Sequence, residues 1–198
     1  MPTKEPTKKP RMDKIIESVI LEEINSRLSY DRCNEGDLDD ICRLISTIHN
    51  DGIETVMGWL QETSVNYGAS VKCLDEDGEM VGVLLFTDST LDYEVPDLKE
   101  KNPKLYAYLD NMKYIEGFAF VIDPQYRGTG ADRKMLGIAL ANIKDYDYVM
   151  VPVFHSLRTH NYWMRFGAIN VFENEELKLY VIPLSEQLKK NLSKNLGI

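Results

Sequence analysis

The stretch Val121-Ile-Asp-Pro-Gln-Tyr-Arg-Gly-Thr-Gly130 decides the fold. Before it, Ile115, Phe118, Phe120, Val121 and Ile122 make an apolar run that reads as a buried strand from Tyr114 to Ile122, and Asp123-Pro124 stops it. After it, Ala131 to Ile143 reads as a helix, with Met135, Leu136, Ala139, Leu140 and Ile143 on one apolar stripe. That stripe docks the helix on a sheet and leaves its N-terminus free. A free helix N-terminus presents unpaired N–H groups and the positive pole of the dipole, and Gly128 and Gly130 let an anion approach the backbone with no Cβ in the way. A pyrophosphate is the natural guest.

Two well-known glycine loops are excluded. Gly128-Thr-Gly130-Ala-Asp-Arg133 lacks the third glycine of the dinucleotide fingerprint, and no G-x-x-x-x-G-K-S/T run exists. Gln125-Tyr-Arg-Gly128-Thr-Gly130 instead resembles the acetyl-CoA signature Q/R-x-x-G-x-G/A of the GNAT family of N-acetyltransferases, preceded as in that family by a strand and a proline corner. The resemblance continues through Tyr148–Phe154 as the next strand and through Asn161-Tyr-Trp-Met-Arg-Phe-Gly167-Ala168, and it runs from about Leu28 to about Ile182. It implies an α/β (α+β) GNAT acyltransferase fold: a mixed, mostly antiparallel sheet of six or seven strands, flanking helices, and two central parallel strands that splay apart. It also implies acetyl-CoA as cosubstrate, no metal, and direct attack by a primary amine of a small molecule or protein, with no acyl-enzyme.

Composition bounds the rest. At 198 residues and 43% hydrophobic the chain is long enough for one good core and short for two domains. No apolar run of membrane-spanning length and no secretory signal are read, so a cytoplasmic protein is expected. Cys33, Cys42 and Cys73 have no C-x-x-C spacing and are expected to be reduced. The net charge is −9, and because residues 1–14 carry a local +3 the remainder carries −12. An acidic body disfavours nucleic acid and favours cationic substrates or partners.

In chain order, residues 1–12 read as a disordered basic leader and 13–27 as an extra N-terminal helix with Ile15, Ile16, Val19, Ile20 and Ile24 on one face. That face is open between packing on the domain and forming a homodimer. The acetyltransferase domain is expected over 28–184: a strand at Leu28–Cys33, a helix from Leu38 to Ile48, a second over Ile53–Glu62, and a hairpin of Ala69–Leu74 with Met80–Phe86 around Asp75-Glu-Asp-Gly78. His49, Trp59 and Tyr67 fall where family members line the acceptor pocket. Residues 87–113 are longer than the usual connection. Asp88, Asp92, Glu94 and Asp97 crowd the first part, and Leu98–Met112 has helical spacing. Pro152 suits the splayed part of a strand, since proline cannot donate to a ladder. A helix over Leu157–Phe166, a hairpin of Ala168–Phe172 with Leu177–Ile182, and a C-terminal helix in 185–198 complete the chain.

The resemblance assigns the oxyanion donor to the backbone of Val121 and Ile122, and the diphosphate cradle to Gln125, Tyr126, Arg127, Gly128, Thr129, Gly130 and Ala131. Asn161 and Trp163 are expected to border the CoA arm. Glu116 is the candidate base, placed by two-residue alternation on the face of Phe118, Phe120 and Ile122, where neighbouring aromatics raise a carboxyl pKa. The family's usual tyrosine acid falls at Trp163, which has no titratable hydroxyl. Tyr162, then His155 and His160, are the substitutes. The competing reading is a module that binds acyl-CoA without turning it over.

Overall fold

The computed structural model describes residues 23–157 and 159–196. The predicted leader and most of the predicted first helix therefore lie outside the described residues, as does the side chain of His160. Residues 23–26 are helical and lead into the sheet.

The strands are β1 (Ser29–Arg32), β2 (Val71–Leu74), β3 (Met80–Thr87), β4 (Tyr114–Ile122), β5 (Tyr148–Phe154), β6 (Ile169–Glu173) and β7 (Leu177–Pro183). They form one sheet in the order β1-β2-β3-β4-β5-β7-β6, in which only β4 and β5 run parallel. The β2–β3 hairpin turns as predicted, with Gly78 at φ 82° and the Asp75 carboxylate accepting from the N–H groups of Asp77 and Glu79 at 3.0 and 2.9 Å.

β3 is apolar along both faces because both are covered. On one side Leu84 and Phe86 join the core under α6 (Ala131–Asn142), with Met135, Leu136 and Ala139. On the other, Val83 and Leu85 meet Ile41, Leu44 and Ile45 of α1 (Leu38–His49) and Val56 and Leu60 of α2 (Ile53–Glu62). The rest of that second face is covered by the insertion helices α3 (Leu91–Glu94), α4 (Asp97–Lys101) and α5 (Pro103–Asp110), and by Leu188 and Leu192 of α8 (Glu186–Leu196). α7 (His160–Arg165) follows β5.

Three expectations change. Leu98–Met112 is two helices, because Asn102 leaves helical geometry (φ −146°, ψ 71°) to cap α5 and Pro103 takes its first turn. The helix expected from Leu157 starts only at His160. The third concerns the face of Glu116. Leu85 of β3 lies opposite Ala119 and Phe86 opposite Gly117, so Phe118 is an extra residue in β4. This bulge reverses the alternation. Ile115 shares the α6 face with Phe120 and Ile122, whereas Glu116, opposite Thr87, lies on the α1/α2 face with Ala119 and Val121.

Candidate active site

The ladder between β4 and β5 is short. Tyr114, Ile115 and Glu116 pair with Tyr148, Val149 and Met150, and no pair follows, although β4 runs to Ile122 and β5 to Phe154. Beyond Glu116 the strands part around a cleft of about 540 Å³ lined by Gly117–Ile122 of β4, Val151–Val153 of β5, and side chains from the glycine loop and α7. Pro152 lies in this open part and lines the cleft, where its missing N–H costs no bond to β4.

The open edge of β4 is a row of polar backbone atoms. Asp123 N–H donates to Val81 O at 2.9 Å, and by alternation Val121 N–H points the same way, into the β3 ladder. The N–H groups of Phe120 and Ile122 therefore face the gap. Of the two expected oxyanion donors, Ile122 has its N–H available there, while Val121 lines the cleft with its N–H committed elsewhere.

At the foot of the cleft, Asp123 Oδ1 accepts from Gln125 N–H at 2.8 Å and starts a short 3-10 turn over Pro124–Tyr126. The chain then reaches α6 through Gly128 at φ 80° and Gly130 at φ 90°, values that a side chain strains. Thr129 is buried with its hydroxyl on Tyr126 O at 2.8 Å, and its Oγ1 accepts from Ala131 N–H at 3.3 Å. Among the described residues, the N–H groups of Gly128, Thr129, Gly130, Asp132 and Arg133 have no hydrogen-bond partner. A Cβ added at Gly128 meets nothing within 4 Å, and one at Gly130 meets only Asn25 Nδ2, at 3.9 Å. Five free donors before open space fit a diphosphate. Arg127 lines the cleft but its Nε is tied to Ile122 O at 3.2 Å. Gln125 and Asn161 are exposed and do not line the cleft, and the loop's contribution from Gln125, Thr129, Gly130 and Ala131 is one of backbone shape.

The wall is aromatic. Phe120 packs against Tyr162 and Trp163 at ring separations of 5.6 and 6.0 Å, and Tyr162 against Phe166 at 4.8 Å. Adjacent on α7, Tyr162 and Trp163 nevertheless both line the cleft. The Tyr162 hydroxyl donates to Asp132 Oδ2 at 3.3 Å; burial first and the Asp132 charge second push its pKa above the ordinary tyrosine range. Asp132 is a residue the sequence reading missed. It puts a carboxylate in the first turn of α6 on the cleft wall, and an acid there is the ordinary complement of a helix dipole, which hides it in sequence.

Glu116 is 4% exposed, at the apex where β4 and β5 part, and it does not itself line the cleft. Thr87 donates to its Oε2 at 2.8 Å. Burial and the neighbouring Glu94 carboxylate raise its pKa from 4.5 to about 7, against the opposing bonds from Thr87 and Ser89. Of the other candidates, His49 lines the cleft from the end of α1; Trp59 and Tyr67 do not. His155 turns to the β6–β7 turn, its Nε2 2.9 Å from Asn174 O.

This sheet, opened between its two central parallel strands above a glycine loop and a helix N-terminus, is the fold of the GNAT N-acetyltransferases. Solved structures with the same fold include the GNAT family N-acetyltransferase YhbS from Escherichia coli in complex with CoA, at TM-score 0.58 and 14% identity over 82% of this chain and 84% of that one. A putative GNAT acetyltransferase from Desulfovibrio desulfuricans matches at TM-score 0.58 and 10% identity, over 80% of this chain and 99% of that one. Arylalkylamine N-acetyltransferase 2 from Aedes aegypti matches at TM-score 0.54 and 13% identity, over 80% and 99%. No family model and no curated protein matches the sequence.

Proposed function

We propose that the chain is an acetyl-CoA-dependent N-acetyltransferase that moves the acetyl group to a primary amine of a small molecule or protein by direct attack. The observation that carries this reading is the end of the β4–β5 ladder at Glu116 beside a loop with five unpartnered N–H groups. The E. coli neighbour of the same fold carries CoA.

The N–H groups of Gly128 to Gly130, Asp132 and Arg133 would hold the diphosphate, and the open edge at Ile122, next to the loop, would hydrogen-bond the pantetheine arm. Tyr162, Trp163 and Phe120 form the apolar side. The cosubstrate, when bound, supplies an activated thioester carbonyl. Amine transfer then needs a neutral nucleophile, since an alkylamine of pKa about 10 is almost wholly ammonium at neutral pH. A carboxylate whose pKa is raised toward 7 is suited to taking that proton, and Glu116, which lies behind the cleft apex, is assigned this role through water. Phe120 N–H, the open-edge donor nearer the apex, is the donor for charge developing on the carbonyl oxygen. The Tyr162 hydroxyl stays protonated at working pH and would have to turn from Asp132 to give the departing sulfur a hydrogen bond; proton transfer from so weak an acid to a thiolate is uphill.

One observation favours a second reading, binding without turnover. The usual acid position holds Trp163, and the neighbouring tyrosine is engaged by Asp132. Free-thiol release from acetyl-CoA, measured with and without a panel of amines and with mass detection of the products, separates the two. The proposal expects thiol release that depends on amine and an acetylated product. CoA binding with no thiol released by any amine would support the second reading instead.

A further inference from the structure

The cleft runs through the sheet. On its wall Phe120, Ile122, Tyr162 and Trp163 belong to the apolar cluster under α6, and Ile48, Ala119 and Val121 to the cluster under α1 and α2. The glycine loop fixes the CoA end on the α6 face, so an acceptor meets the thioester from the α1 face. The two halves differ in their polar groups. The loop and the α7 side contribute Tyr126, Arg127, Asp132, Thr159 and Tyr162, whereas on the α1 side His49 is the one polar side chain among the described residues that line the cleft. None of the acids of the insertion lines it, and Asp92 and Asp97 are paired with Lys99 and Lys101 at 3.5 and 2.9 Å. The rim is apolar as well. Phe118, the extra residue of the β4 bulge, and Leu157, just beyond β5, both line the cleft and are 36% and 41% exposed. One large apolar side chain at a surface needs no explanation, but two at the mouth of one cleft, with Ile48 beside them on its lining, make an apolar seat for a ligand.

We propose that the acceptor is a primary amine carried on an apolar, uncharged group, an arylalkylamine in its simplest form, and that Phe118 and Leu157 determine this specificity. The inference rests on the function proposed above and names the substrate class of that site. Along β4 from the loop, Ile122 meets the pantetheine arm, Phe120 the reacting carbonyl, and Phe118 whatever lies beyond it. The reacting ammonium gives up a proton toward Glu116. A second ammonium, as in a polyamine or a lysine-rich peptide, would lie against apolar walls with no carboxylate to pair it, which is costly. The net charge of −9 draws every ammonium toward the molecule and does not choose among them; the choice is made in the cleft. In the transfer the C–N bond forms as the C–S bond breaks. Of the two protons that leave the ammonium, one ends on the CoA thiol and one in solvent.

The test is a comparison of kcat/KM at saturating acetyl-CoA for 2-phenylethylamine, spermidine and a short lysine-containing peptide. The wild type should favour 2-phenylethylamine over the other two by about tenfold or more. Leu157→Ala and Phe118→Ala should each raise KM for 2-phenylethylamine by about three- to tenfold and move kcat little. Leu157→Glu, which supplies a carboxylate at the rim, should narrow or reverse the preference over spermidine, with CoA affinity by calorimetry within about threefold of wild type. Leu157 lies outside the strands and is exposed, so its variants keep the test open if Phe118→Ala fails to fold. A wild type that turns over but prefers spermidine, the peptide or another polar amine overturns the acceptor class alone. So does a preference that the Leu157 variants leave in place. CoA binding with no thiol released by any amine sinks the transferase reading, and the acceptor class falls with it.

Discussion

Glu116 is held in a place that costs stability whenever it ionises. Its folded pKa is about 7 against an ordinary 4.5, so between those values the unfolded chain releases a proton that the folded one keeps. Stability that is present below pH 4.5 is therefore lost as pH rises through 7, by up to about 3 kcal/mol. Glu116→Gln keeps an acceptor for Thr87 and removes the titration. Chemical denaturation at pH 5 and pH 8 should show the wild type losing stability to the variant across that interval. Equal pH dependence in the two proteins would show that the carboxyl titrates normally. Asp132 acts on the other wall of the cleft. Its charge stands beside the loop assigned to a diphosphate, so Asp132→Asn, which keeps an acceptor for the Tyr162 hydroxyl, should bind CoA several-fold more tightly by calorimetry. Both residues show where sequence reading stops. The position of Glu116 was legible as a carboxylate near the cleft, but its face depends on one extra residue in β4, a bulge to which the lone strand glycine Gly117 points without fixing its place.

Among the elements, the loop and the insertion do different work. The loop was readable because Gly128 and Gly130 mark left-handed backbone, and both sit at positive φ in front of open space. Gly128→Ala meets no steric clash, so its stability loss should be only the conformational strain of about 1 kcal/mol. CoA affinity should fall at least tenfold, as the methyl intrudes on the cradle and shifts its N–H groups. An equal loss in both would mean that the loop serves folding alone. The insertion was legible as an insertion but not in its packing. Leu91, Leu98 and Leu109 are each 0% exposed, and they cover half of one sheet face together with α8. Leu98→Ala should cost about 3 kcal/mol, read by denaturant unfolding. The break at Asn102-Pro103 was available in the sequence, since a residue before proline avoids helical geometry, yet the apolar spacing on either side reads through it.

At the scale of the whole molecule, the net charge pulls on the two proposed substrates in opposite senses. The chain carries −9 overall, which attracts an ammonium and repels the phosphates of CoA. Raising ionic strength from low to near-molar salt should therefore raise KM for a polycationic amine and leave CoA affinity unchanged or improved. The fold was recoverable from the sequence because its signals are local and in order: a strand, a proline corner, two glycines and an amphipathic helix, followed by a strand with a proline in its open half. What lay beyond reach was long-range, namely the meeting of Thr87 with Glu116 and of Asp132 with Tyr162. The central claim is that the gap between β4 and β5 and the loop at its foot hold CoA. Backbone amide NMR during a CoA titration tests it most directly. The account predicts saturable shifts centred on Phe120, Ile122 and the amides from Gly128 to Arg133, with β1 and β6 unaffected. Saturable shifts confined to other surfaces, or none at millimolar CoA, would contradict it.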